Sequence, residues 1–133
     1  MSSSLQKRLR FDKAGIEQRP DGQHVVKVTL SFGQRIIEGS AAGEGDALLK
    51  TAAAAALKAV EASVDQRFTC LLADVDRVTA LGKNLIAVLV DVRFEGRDVQ
   101  VFGSCQISGD EVDATVKAAL NATNRFFELS MRE

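Results

Sequence analysis

The chain has 133 residues, of which 46% are hydrophobic and 26% are charged, and its formal net charge at pH 7 is -1. That length is enough for one domain that buries roughly two thirds of the surface of its unfolded chain. The composition is that of a folded globular protein and not of a disordered segment, and the nearly balanced charge does not favour nucleic acid or a membrane as a partner.

The predicted elements begin after a basic N-terminal segment, MSSSLQKRLRF, which lacks the apolar run of a secretory signal. No later stretch approaches the ~20 apolar residues that span a membrane. Cys70 and Cys105 each lie in an apolar, strand-like segment, which favours two reduced thiols over a disulfide. The sequence therefore predicts a cytoplasmic protein, in which the glycosylation pattern Asn121-Ala122-Thr123 carries no sugar.

A first unit of three strands and a helix is predicted over about residues 5–65. A leading strand spans Leu9–Glu17, and a tight turn at Gly33-Gln34 joins a second strand to a third that ends at Gly39-Ser40. A helix follows from about Asp46 to Ser63, with Asp46 as its cap. The second strand has a period of two, because polar residues separate its apolar residues Val26, Val28, Leu30 and Phe32.

A second unit, over about residues 66–133, repeats this order. A leading strand spans Phe68–Val78, and a turn at Glu95-Gly96 joins the next two strands, of which the last ends at Gly103-Ser104. A helix is predicted from about Asp110, its cap, to Leu129, with Asn121 and Asn124 near its end. The middle strand again alternates, with Val88, Val90, Val92 and Phe94 on one face.

This internal repeat predicts one α+β domain over residues 1–133, built as βββα-βββα from two units of three antiparallel strands and one helix. One such unit is small and leaves much of its sheet exposed. Two units can bury those faces against each other, and a dimer can bury what remains. The sequence therefore predicts a homodimer.

The starts of the two predicted helices carry motifs of a known family. The first start, GEGDALLKT, is similar to a glycine-rich loop that leads into a helix, and the second helix, DEVDATVKAALNATNR, has the ending Asn-Ala-x-Asn-Arg. Residues 25–127 therefore resemble the C-terminal regulatory domain of 2-isopropylmalate synthase and its citramalate synthase relatives. In the second helix the matching residues are Asp110, Ala114, Lys117, Ala118, Leu120, Asn121, Ala122, Asn124 and Arg125.

The resemblance implies a dimeric α+β domain that, in the full-length enzymes, binds the end-product amino acid at the dimer interface and regulates a separate catalytic barrel. The chain is too short to contain that barrel, so it is expected to act as a stand-alone regulatory module. Three positions depart from the family: Pro-Val is missing before Asp46, Lys83 lies near an acidic position, and Ala119 replaces a tyrosine.

The predicted ligand site lies at the two helix starts and takes a small amino acid or another carboxylate. Free N–H groups at a helix start, together with the helix dipole, favour a carboxylate, and glycines allow the backbone to approach it. No cofactor and no metal ligands are predicted. The candidate residues are Gly43, Gly45, Asp46, Ala47, Gly109, Asp110 and Ala114.

Two further functions stay open. One is a dimerisation or protein-interaction module without a ligand, for example a companion of a separately encoded enzyme. The other is double-stranded RNA binding, because GSAAGEGDALLKTAAAAALKAV resembles the hairpin-to-helix part of that domain. Acidic residues at both helix starts would repel phosphates, which disfavours nucleic acid as a partner. These residues are Asp46, Asp110, Glu111 and Asp113.

An enzyme is the function that the sequence favours least. His24 is the single histidine of the chain and is expected to be exposed at the head of a strand. No histidine and cysteine cluster has metal-ligand spacing, and no Ser-His-Asp set is recognisable. Asp74 and Asp76 alternate along one strand, where a solvated sheet face explains them.

Overall fold

The computed structural model describes residues 8–131, and within them the predicted α+β architecture is confirmed. Residues 5–7 of the predicted first unit, residues 132–133 of the second and most of the basic N-terminal segment lie outside the described part. In chain order the elements are β1 (Arg10–Gln18), β2 (Gln23–Phe32), β3 (Arg35–Glu44), α1 (Leu48–Ser63), β4 (Phe68–Ala80), β5 (Lys83–Phe94), β6 (Arg97–Gln106) and α2 (Glu111–Met131).

The strands form two separate three-stranded antiparallel sheets, with β2 and β5 as their central strands. The alternation of polar and apolar residues explains which faces are buried, because side chains one residue apart point to opposite faces of a sheet. One face of each central strand carries side chains that solvent does not reach. These are Val26, Val28 and Leu30 in β2, and Ile86, Val88, Val90 and Val92 in β5.

Two glycines in the middle of edge strands set how closely the helices approach the sheets. Strands β3 and β6 were expected to end at Gly39-Ser40 and Gly103-Ser104, and this is wrong, because both strands continue beyond the glycines. A Cβ atom on Gly39 would lie 2.5 Å from the Ala55 carbonyl oxygen, and one on Gly103 would lie 2.5 Å from the Ala122 nitrogen. The glycines therefore mark where α1 and α2 cross the sheets, with buried alanines on the facing helix sides.

The two helices pack against each other, and each also contacts the leading strand of the other unit, α1 with β4 and α2 with β1. The Phe32 and Phe127 rings join the two units in an edge-to-face pair with centroids 5.0 Å apart. Phe126 contacts Phe68 in the same core. Both units thus share one hydrophobic core.

The second helix was predicted from about Asp110 to Leu129, and α2 spans Glu111–Met131, so the prediction is confirmed to within two residues at its end. Asn121 and Asn124 lie inside this helix. The exposed position of Asn121 explains why a poor helix former is tolerated there. Among residues 8–131, neither helix has the length and apolarity that a membrane span would need.

Candidate functional site

Both helix starts line one open groove with a volume of about 740 Å³. Four of the predicted ligand residues face it: Asp46 and Ala47 from the start of α1, and Gly109 and Asp110 from the start of α2. The edge strands complete the wall, with Ile16 from β1 and Val75–Arg77 from β4. The structure therefore brings together residues that lie far apart in the chain.

The other three predicted ligand residues do not line this groove. Gly45 has a φ of +48° in the turn before α1, so its role there is conformational. Gly43 lies in β3 against the Thr51 side chain, and Ala114 is buried in the core on α2. For Gly43 and Ala114, packing is sufficient to explain the residue.

The two helices run in the same direction. Their starts share the groove, and their C-terminal ends lie together at the opposite end of the molecule. Ser63 and Ser130 line a second, smaller cavity of about 200 Å³. There Arg35 donates a hydrogen bond to the Ser63 carbonyl oxygen at 3.2 Å, and Arg67 donates one to the Ser130 carbonyl oxygen at 2.7 Å. Since each helix has a partial positive charge at its N-terminus, two such ends converge on the groove.

The start of α2 is capped as predicted. One carboxylate oxygen of Asp110 accepts hydrogen bonds from the N–H groups of Val112 at 2.7 Å and Asp113 at 3.3 Å. Two of the free donors of the first turn are thereby satisfied.

The start of α1 is different, and the predicted Asp46 cap is wrong. The first helical hydrogen bond is accepted by the carbonyl oxygen of Ala47, which makes Ala47 the cap residue, and no side chain of the described residues caps this end. The cause is a turn in which the Ala47 N–H donates to the Glu44 carbonyl oxygen at 2.9 Å. That turn places Asp46 one residue too early, so the first-turn N–H groups of α1 lack a carboxylate partner.

The charged side chains of the groove are mostly acidic. Asp46, Asp76, Asp110 and Glu111 line it together with Lys50 and Arg77. Arg77 and Glu111 neutralise each other through two hydrogen bonds of 2.7 and 2.9 Å. The hydrogen bond to Arg77 lowers the pKa of Glu111 below its usual value. With this pair set aside, three carboxylates and one ammonium group remain, so a cationic group is favoured near the rim.

A buried histidine behind the groove was missed in the sequence. His24 was expected to be exposed, and this is wrong, because only 2% of it is accessible. It pairs with Gly43 across β2 and β3, and the missing Cβ there leaves room for the imidazole ring beside Thr51. The signal was in the sequence, since His24 is in phase with the buried residues Val26 and Val28.

His24 links the first turn of α1 to the first sheet by a hydrogen bond. Its Nε2 atom lies 2.9 Å from the Thr51 hydroxyl, and that hydroxyl donates to the Ala47 carbonyl oxygen at 2.8 Å. Because the hydroxyl has a single hydrogen, Nε2 must be the donor in the His24–Thr51 bond. The chain of hydrogen bonds therefore fixes Ala47 at the edge of the groove.

The two cysteines are free thiols, as predicted. Cys70 lies in β4 beside α1, where its N–H donates to the Glu61 carboxylate at 2.6 Å. Burial, with a smaller contribution from the Glu61 charge, raises the pKa of the Cys70 thiol from 9.0 to about 12. The reactive thiolate form is therefore almost absent at neutral pH.

We expect Cys70 of the native protein to resist iodoacetamide at pH 8. A pKa that rises from 9.0 to about 12 reduces the thiolate fraction roughly 1000-fold. The rate is measured by mass spectrometry of the Cys70 peptide, and the same peptide in urea-unfolded protein is the control. Equal labelling rates in the native and unfolded protein would contradict the assigned burial.

Neither metal chemistry nor a known family identifies the site. Residues 8–131 contain no group of three or more histidine, cysteine, aspartate or glutamate side chains that is arranged to hold a metal ion. No model of a known protein family matches the chain, and neither does any curated protein. The function must therefore be argued from the groove itself.

Proposed function

We propose that the protein is a non-catalytic regulatory domain that senses a small amino acid in the groove between the two helix starts. The observation that carries this proposal is the pairing of two complementary features in one groove. The uncapped start of α1 offers N–H groups to a carboxylate, and the carboxylates of Asp46, Asp76 and Asp110 offer partners to an ammonium group.

An amino acid has both groups, and a 2-oxo acid or a simple amine has one. The resemblance to the regulatory domain of 2-isopropylmalate synthase supports the same ligand class and a homodimer. A separately encoded enzyme is the regulated partner that we propose. We place the protein in the cytoplasm, where Cys70 and Cys105 would remain reduced.

The test is a thermal-shift and calorimetric titration with leucine, isoleucine and valine at millimolar concentration. A ligand at 100 times its Kd stabilises the folded state by about 2.7 kcal/mol, so the melting temperature should rise by several degrees. We expect the matching 2-oxo acids and amines to bind more weakly than the amino acids. A flat response to every amino acid would refute the proposal.

A substitution at the uncapped helix start provides the matched variant. Ala47→Asp places a carboxylate where the ligand carboxylate would bind, and the helix dipole tolerates it there. We expect the variant to remain folded and to lose the thermal response. Ala62→Asp introduces the same side chain at an exposed position near the other end of α1 and should retain the response. If Ala47→Asp retained the thermal response, the ligand would not bind at this helix start.

A ligand-free interaction module is the second candidate, and exposed apolar side chains favour it. Leu71 and Phe102 lie on the face of the second sheet that the helices do not cover, and they are 69% and 64% exposed. Such side chains fit a contact with another protein surface. This module would show no response in the amino-acid titration.

A further inference from the structure

The hairpin of β4 and β5 ends in a leucine that no part of the described chain covers. Leu81 is 100% exposed, more than any other large apolar residue among residues 8–131. Strand β6 pairs with β5 as far as Leu85, and the Ile107 N–H donates to the Asn84 carbonyl oxygen, so residues 80–83 project beyond the sheet as a two-stranded tip. We call residues 80–83 the hairpin tip.

Local structure does not account for this leucine. Leu81 and Gly82 have φ angles of 54° and 74°, a turn geometry that favours asparagine, aspartate or glycine at its first position. The corresponding turn of β5 and β6 has Glu95 and Gly96 at 54° and 78°. A polar residue therefore serves the same geometry elsewhere in this chain, and Leu81 is unfavourable both in its backbone angle and in its exposure.

We propose that Leu81 is an anchor by which one copy of this chain docks into the helix-start groove of a second copy. The groove offers apolar side chains to a leucine: Ile16, 44% exposed, and the half-buried Leu48 and Leu49. Its volume of about 740 Å³ is ample for one leucine and the adjoining turn.

The charges of the two surfaces are complementary. The hairpin tip carries Lys83, which makes no ion pair with the described residues. The groove carries the carboxylates of Asp46, Asp76 and Asp110. Opposite charges at the rim of an interface orient an apolar anchor and speed its association. Once Leu81 has docked, Lys83 would lie beside the carboxylates of the groove.

Leu81 cannot reach the groove of its own chain. In a symmetric dimer, each copy can place its Leu81 in the groove of the other copy. Asp76 lies at the groove, and Leu81 lies about 17 Å farther along the paired hairpin at roughly 3.3 Å per residue. Two hairpins that run side by side in opposite directions would each bring a tip to the base of the other. One two-fold axis then forms both contacts.

Sedimentation equilibrium of the full chain tests the anchor. Asparagine suits the backbone angle of position 81, so Leu81→Asn should remain folded. Because the symmetric dimer would lose two leucine contacts, dimerisation should weaken roughly 100- to 10,000-fold. Ile36→Asn changes a similarly exposed aliphatic side chain, 66% exposed and away from the groove, and should leave the dimer constant unchanged. The proposal is overturned if wild type is monomeric at millimolar concentration, or if Leu81→Asn dimerises as tightly as wild type.

A charge exchange tests the partner surface. Lys83→Glu and Asp46→Lys each place like charges in their own homodimer, whereas a mixture of the two forms a heterodimer with both contacts complementary. We expect the mixture to dimerise more tightly than either variant alone, and equal affinities would overturn the pairing of tip and groove. The anchor would occupy the groove that the proposed function assigns to an amino acid, so the two compete for it. Leu81→Asn leaves the groove lining intact and unoccupied, so its amino-acid binding tests the proposed function and its dimer constant tests the anchor.

Discussion

Gly103→Ala is expected to lower the free energy of unfolding by about 3 kcal/mol, at the upper end of the usual range for overpacking. The added Cβ would collide with the Ala118 carbonyl oxygen and lie 2.5 Å from the Ala122 nitrogen. Both obstacles are backbone atoms of α2, so no side chain can rotate away. The helix must move off the sheet, and packing along its buried face would be lost.

The measurement is urea unfolding followed by circular dichroism, with Gly15→Ala as the control. Gly15 also lies in a strand, has no positive φ, and has nothing within 4 Å of an added Cβ. Alanine there should be neutral or stabilise the fold by about 0.5 kcal/mol, because glycine loses more conformational entropy on folding than alanine does. Similar effects of the two substitutions would show that α2 does not press on β6 as closely as described.

Phe127→Ala is expected to cost about 3–5 kcal/mol, which is typical for a deeply buried phenylalanine. The side chain is 1% exposed, and its ring packs edge-to-face on Phe32 at 5.0 Å. Phe127 belongs to α2 and Phe32 to β2, so the lost contact joins the two units. We therefore expect both units to lose stability together in one transition.

Hydrogen exchange resolved by peptide checks this expectation, because it reports the protection of each unit separately. Phe102→Ala removes a phenylalanine that is mostly exposed and should change the unfolding free energy by no more than about 0.5 kcal/mol. If Phe127→Ala reduced protection in the second unit alone, the two units would be independent domains and the shared core would be refuted.

Much of the fold could be predicted because its signals are local. Alternation along β2 and β5 shows which side chains face a core, and the turn at Glu95-Gly96 is formed where it was expected, with positive φ at both residues. The Asp110 cap was also predictable, since the carboxylate and its N–H partners lie within three residues.

Predictions from local sequence were wrong where contacts with a neighbouring element determine the structure. Asp46 and Asp110 occupy matching places in the repeat, yet one extra turn residue before α1 leaves Asp46 without a capping role. His24 looked exposed at a strand head, and it is buried because Gly43 and Thr51 provide a polar niche from two other elements. Gly39 and Gly103 looked like strand ends, and they are crossing points for helices.

The sequence by itself determined the repeated order of strands and helices, because hydrophobic period, turn glycines and caps act over a few residues. Only the tertiary structure decided that both helix starts share one acidic groove and that Leu81 projects beyond it. These features depend on how two units pack on a common core, and the packing is set by contacts between residues far apart in the chain. For the same reason, the helices were predictable one by one and the groove between them was not.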